Sequence, residues 1–229
     1  MSLSRRLVLP VIAMAIIVLF SNIAVHFPVP GRVGAVQLAD LLTWGAFVYP
    51  FAFIVTDVNN RVFGPALARR VVYLGFGVAI VSSIVFPPLL FRLGFVPFDL
   101  EPARLARVAI ASGLAFLAAQ LLDILVFNRL RRRSWWKAPL ASGVAGTVVD
   151  TALFFTIAFA SVFAFFGPSE PFGLQPAPLL GVLSAEAPRW VSWALGDFGV
   201  KLAVALFGLV PYRIAVNMLL PYRDEPARA

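Results

Sequence analysis

The residues of this chain that could do chemistry are few, and they stand where charge is costly. Of 229 residues, 61% are apolar and 13% charged. Inside the longest apolar stretches lie five polar groups. Gln120 and Asp123 are three apart and so share one helix face. Asp150 stands alone, and Asp197 and Lys201 form an i, i+4 pair. Counted inward at 1.5 Å per residue, Asp150 and Lys201 both fall near ~15 Å depth. A charge inside a bilayer costs about 2.5–3.5 kcal/mol even on the lenient insertion scale, and such groups face a partner or a pathway. The plainest use is a buried ion-pair network that fixes helix packing, with Lys201 meeting Asp197 or Asp150. Three carboxylates to one ammonium leave negative charge over, so at least one carboxylate is protonated, hydrated or paired from outside. Asp40, Asp57 and Arg213 lie toward the ends of apolar stretches, where water or snorkelling accounts for them. Aromatic residues crowd the same regions: Trp44, Phe47, Tyr49 and Phe51, then Phe154, Phe155 and Phe159. Beside carboxylates, an amide and a lysine, they point to a planar, hydrogen-bonding ligand.

The elements that must position these groups are membrane spans. A crossing needs ~20 mostly apolar residues, and six stretches qualify, at about 7–27, 38–56, 71–91, 108–127, 139–166 and 191–220. The first is too long for a signal peptide and has no small-x-small cleavage site. Twelve basic residues fall at the N-terminus, the second and fourth connections and the tail (Arg5, Arg6, Arg61, Arg69, Arg70, Arg129, Arg131, Arg132, Arg133, Lys137, Arg223, Arg228). Only Arg32, Arg92, Arg104, Arg107 and Arg189 lie in the other connections. The positive-inside rule then puts both termini in the cytoplasm, as an even number of spans requires. Continuous apolarity, rather than alternation, excludes a barrel. The expectation is an all-α, single-domain bundle of six helices, its centre packed through the small residues of the fourth and fifth spans. The Pro-rich connection 167–189 cannot be one regular helix; an outer lid and a passive tether are both open to it.

Several classes drop out. Mean hydropathy of +0.91 excludes a water-soluble enzyme. With no cysteine and one histidine, His26, neither a thiolate nor a multi-His metal site can be built, and no metal or other cofactor is expected. The net charge of +8 is first a topology determinant, so no nucleic-acid partner is expected. A membrane enzyme lacks a nucleophile with its base. A scaffolding subunit held by the buried ions stays as an alternative, and a homo-oligomer is left open.

The segments carrying the polar residues also carry a resemblance. TWGAFVYPFAFIVTDVNNRVFGPALARRVVY (Thr43–Tyr73) resembles the signature of the queuosine precursor transporter family of six-span inner-membrane proteins. AQLLDILVFNRLRRRSWWKAPLAS (Ala119–Ser142) resembles its fourth span and following loop. Ser21–Asn22, Val149–Thr151 and the stretch from Lys201 to Met218–Leu220 follow in order. The resemblance implies uptake of a 7-deazaguanine precursor of queuosine, the 7-cyano or 7-aminomethyl base, across a bacterial inner membrane. It also implies kinship with the substrate-binding subunits of energy-coupling-factor vitamin transporters. Those subunits dock on an energising partner through a small-xxx-small pattern in span one. Here Ile17 follows Ala13 and Leu19 follows Ala15 at that spacing, which favours a solitary transporter. For such a base, one carboxylate can accept adjacent N–H and NH₂ donors; Asp123, Asp150 and Asp197 are the candidates, Asp150 preferred on depth. Lys201, Gln120 or Asn22 would serve the base's carbonyl. Trp44, Phe51 or Phe155 would wall its faces.

Overall fold

Apolar side chains face outward along most of this chain's helices, as they must where the surroundings are lipid. On the first helix, α1 (Leu3–Ala24), Leu9 and Phe20 are each 63% exposed while Met14 is fully covered. The computed structural model describes residues 3–97 and 101–219. The tail arginines Arg223 and Arg228 and the last residue of the expected sixth span lie outside them.

Four more long helices follow: α4 (Pro65–Arg92), α5 (Pro102–Leu130), α6 (Lys137–Phe159) and α8 (Arg189–Phe207). With α1, these five are long and apolar enough to cross a membrane. The expected second span is not one regular helix at 38–56. Residues Leu38–Asp40 form a single 3₁₀ turn, and helices α2 (Gly45–Val48) and α3 (Phe51–Phe63) follow, joined at Tyr49 and Pro50. Both joining residues keep right-handed helical angles, so the path from Gly45 to Phe63 stays helical with a kink. Pro50 has no N–H to donate into the preceding turn, which accounts for the break. The apolar path is thus displaced about seven residues along the chain from its expected place. Gly64, at φ 91°, breaks the chain between α3 and α4, and Pro65 opens α4 at a position where its missing N–H costs nothing.

The expected fifth span ends early, at Phe159, and its remainder is a 3₁₀ segment, Ser161–Phe166. The expected sixth is divided at Gly208 into α8 and α9 (Leu209–Leu219). The Pro-rich connection contains a short turn of helix, α7 (Pro171–Leu174), and an antiparallel hairpin of β3 (Pro176–Pro178) and β4 (Glu186–Pro188). A smaller hairpin, β1 (Arg32–Val33) with β2 (Val36–Gln37), follows α1.

Helix α5 packs between α4 and α6, with α1 against α4 and α8 against α6. Small residues permit this closeness. Ala111, Ala115 and Ala119 are covered on α5, and a Cβ built on Gly146 of α6 would meet the Phe53 ring of α3 at 2.6 Å. The main apolar core lies among α1, α3, α4 and α5, around Met14, Val72 and Phe116. A second core, around Val62, Phe127 and Tyr212, closes the end of the bundle that carries Arg61 and Arg131. At the opposite end Arg107 is fully covered and donates to the carbonyls of Ile157, Ala160 and Gly167 and to the Ser169 hydroxyl. A cation there also complements the C-terminal end of α6.

Candidate functional site

Lys201 stands twelve residues into α8, or about 18 Å at 1.5 Å per residue, and Asp150 at similar depth in α6. The two helices pack side by side, and their polar groups meet. Lys201 Nζ lies 2.6 Å from Asp150 Oδ2 and 2.5 Å from Asp197 Oδ2. The ammonium therefore serves both carboxylates at once, rather than one or the other. Tyr49, just before the Pro50 kink, donates its hydroxyl to Asp150 Oδ1 at 2.9 Å, and its ring lies 5.1 Å from Lys201 Nζ. Thr151 donates to Asp197 Oδ2 at 3.1 Å.

The two carboxylates differ. Both oxygens of Asp150 are engaged, and its side chain is 5% exposed, like that of Lys201. Asp197 is 14% exposed, and among the described residues nothing donates to its Oδ1. One lysine thus stands between two carboxylates, and among the described residues the network keeps one open acceptor. Toward the Pro-rich end, aromatic side chains continue from it. Phe155, one turn beyond Thr151, stacks with Phe159 at 5.9 Å, and Phe159 meets Trp193, one turn from Asp197, at 5.4 Å. Trp193 stacks on Phe172 of α7, and its indole N–H donates to the Asp40 carbonyl.

A second polar cluster joins α3, α5 and α6. Thr56 donates to Gln120 Oε1 at 2.5 Å, and Ser142 to Asp57 Oδ1 at 3.0 Å. The Thr56–Gln120 bond and a second from Asn60 to the Ile124 carbonyl set α3 against α5 in a register that puts Asp123 beside Asp57, with the Ser142 hydroxyl next to both. Asp57, placed at an interface on sequence grounds, is only 3% exposed. The displaced helix explains the difference, since α3 runs on to Phe63 and leaves Asp57 nearly two turns inside that end. A cleft of about 20 Å³, room for roughly one water, is lined by Asp57, Thr147 and Lys201 and so lies between the clusters.

The other expected site residues go elsewhere. Asn22 donates to the Ala79 carbonyl and the Ser82 hydroxyl, tying α1 to α4. Trp44 and Phe51 are 47% and 44% exposed, and neither hydrogen-bonds to the lysine network. Phe155 is the expected aromatic wall that the structure covers, at 8%. Sequence reasoning counted Tyr49 only as an aromatic and held Thr56, Ser142 and Thr151 only within the motifs, without a role of their own; a hydroxyl one residue after Asp150 was the available signal.

Two features, a bundle of apolar helices and a charged network at mid-depth, suit a protein that moves a solute. A family model described as "Putative vitamin uptake transporter" matches residues 43–216, which include Tyr49, both carboxylates of the network and Lys201. The chain belongs to that family. It is 36% identical over 210 residues to the queuosine precursor transporter of Escherichia coli K12, covering 90% of this chain and 84% of that protein. It is 33% identical over 183 residues to a probable queuosine precursor transporter of Haemophilus influenzae, 78% of this chain and 70% of that one. A probable queuosine precursor transporter of Bacillus subtilis is 29% identical over 194 residues, 80% and 74% of the two chains. No solved structure matches. The family resemblance read from the motifs therefore holds, and this member of the vitamin uptake transporter family is a multi-pass membrane protein, not an enzyme.

Proposed function

We propose that this transporter imports a queuosine precursor, a 7-deazaguanine base bearing a 7-cyano or 7-aminomethyl group, across a bacterial inner membrane. The substrate class comes from the relatives' names. The observation that carries the reading on this chain is the open carboxylate of the lysine network. A deazaguanine presents N–H and NH₂ donors on one edge, and a carboxylate can accept both as charge-assisted bonds. Asp197 offers the free oxygen, while Asp150 holds the lysine and tyrosine and completes the site. Lys201 serves the base's carbonyl, and Phe155 with its aromatic neighbours walls the ring. Gln120, Asp123 and Asn22 belong to the supporting shell, and Trp44 and Phe51 to the outer surface.

The kinked path Gly45–Phe63 supplies the sixth crossing beside the five long helices. Both termini lie in the cytoplasm, and the Pro-rich hairpin lies outside, where its aromatic column leads to Asp197. The transporter works alone, because α1 lacks the small-xxx-small docking pattern. The family description favours a second reading, a vitamin-type binding subunit that needs an energising partner. Complementation tests the first. In a strain unable to make the base, the gene is expected to restore queuosine in tRNA when precursor is supplied at low concentration. Failure by a well-expressed, membrane-inserted protein rejects the substrate. Uptake by the purified protein alone in liposomes rejects the partner-dependent reading.

A further inference from the structure

The second polar cluster is not used by the reading above, and its hydrogen bonds do not close. Asp123 is fully covered, and among the described residues neither of its oxygens receives a hydrogen bond. Two further buried atoms lack partners there, Gln120 Nε2, one turn from Asp123 on α5, and Asn60 Oδ1, one turn from Asp57 on α3. Asp57 has a single side-chain donor, the Ser142 hydroxyl. Among the described residues the charged groups that face the pair hydrogen-bond elsewhere, though Arg61 also acts on Asp57 through space. Lys201 of α8 holds Asp150 and Asp197, and Arg61 of α3 donates to the Tyr212 hydroxyl of α9 and to the Arg131 carbonyl. Two carboxylates in contact cannot both stay ionised in a covered site with one hydroxyl between them. One proton resolves the arrangement, since a protonated carboxyl on either residue donates to the other and gives Asp123 the bond it lacks.

We propose that Asp57 and Asp123 form a proton-binding site that holds one exchangeable proton between their carboxyl groups. The cleft supplies the exchange route, because Asp57 lines it together with Thr147 and Lys201, and it has room for about one water. It also brings the proton site beside the lysine network, so a proton bound here is placed to couple with transport. That last step alone rests on the transport reading.

Infrared spectroscopy of the purified, substrate-free protein tests the site directly. The expected result is a carboxylic-acid C=O band that shifts in D₂O and on ¹³C-aspartate labelling. It should vanish or move in Asp123→Asn and in Asp57→Asn, and fade as pH is raised. The isotope arm needs no variant, so poor folding of a mutant leaves the test intact. Absence of the band at every pH, or its persistence unchanged in both variants, overturns the proposal. So does a band that never titrates, or one removed at fixed pH by sodium chloride but not by choline chloride. Coupling is read separately in liposomes. An imposed pH gradient should drive accumulation of the 7-deazaguanine base by the wild type and not by Asp57→Asn, with exchange of labelled base retained. Accumulation by Asp57→Asn equal to wild type overturns the coupling. A wild type that carries no base at all rejects the substrate reading and leaves the infrared result to decide the proton site.

Discussion

Replacing Lys201 by methionine keeps the side chain's length and removes its charge, which isolates what the ammonium contributes. Its nitrogen lies 2.6 Å from one carboxylate and 2.5 Å from the other. At an effective dielectric of ~20, a pair at that separation attracts by about 6 kcal/mol before desolvation is subtracted. Desolvation cancels much of this, and breaking a buried pair from one side costs ~3–5 kcal/mol because the partner is left uncompensated. Here two partners are left, each with one remaining donor, Tyr49 for Asp150 and Thr151 for Asp197. Lys201→Met is therefore expected to lower stability by the upper part of that range. Adding Asp150→Asn in the same background should cost less than ~1 kcal/mol more, since it removes a charge that has become a liability. The cycle then shows a coupling of at least ~2 kcal/mol. Asp197→Asn should couple more weakly, being more exposed. The measurement is unfolding in mixed detergent micelles, followed by tryptophan fluorescence, on the wild type, the three single variants and both doubles. Additivity within ~0.5 kcal/mol would mean that no shared ion pair exists and would refute the reasoning.

Four further outcomes are expected. Asp197→Ala should weaken binding of the base tenfold or more, the equivalent of ~1.5–3 kcal/mol for charge-assisted bonds; unchanged affinity by isothermal calorimetry moves the reading carboxylate elsewhere. Cysteine placed at the exposed Ser184 should react with an impermeant maleimide from outside intact cells, and at the exposed Ser134 should not; the reverse pattern inverts the topology. Gly146→Ala sets a Cβ 2.6 Å from the Phe53 ring and should destabilise by ~1–3 kcal/mol, read in the same micelle titration. Arg107→Ala removes all four of that residue's donations, so hydrogen exchange at 160–170 should rise while exchange at the Arg61 end stays as it was.

Composition and apolar run length were enough to read the helical class, long helices at five of the six expected spans, and the meeting of Lys201 with a carboxylate at similar depth. Depth counting worked there because α6 and α8 run without a break through the residues that matter. It failed for Asp57, because hydropathy continues smoothly across Leu38–Thr56 while the backbone does not. Pro50 divides that stretch, the helical path runs from Gly45 to Phe63 instead, and Asp57 falls inside its far end rather than just beyond it. The roles of Tyr49, Thr56, Ser142 and Thr151 were hidden for a different reason. Hydroxyls are cheap in membrane helices, where they can bond back to their own backbone, as Thr156 does to the Ala152 carbonyl. Only the neighbouring helix decides which hydroxyl is turned to a carboxylate, and that is a property of packing. The aromatic wall divided in the same way. Phe155 is covered beside Phe159, which meets Trp193 of α8, whereas Trp44 and Phe51 keep nearly half their surface exposed.

Packing alone does not account for three charges at mid-depth. Well-packed apolar residues of similar volume would hold α6 to α8 as firmly, and replacing buried ion pairs in this way is often neutral or stabilising. Nor does helix specificity require the third charge, since Lys201 and Asp150 suffice to fix one register. What remains over is Asp197, whose Oδ2 shares the lysine and whose Oδ1 has no donor among the described residues. One turn away along α8 stands Trp193, which joins the aromatic column reaching α7, and the network has two carboxylates to one lysine. A purely structural network would be expected to close on itself, as Asp150 does. The asymmetry between the two carboxylates is the part of the site that a ligand rich in N–H donors explains.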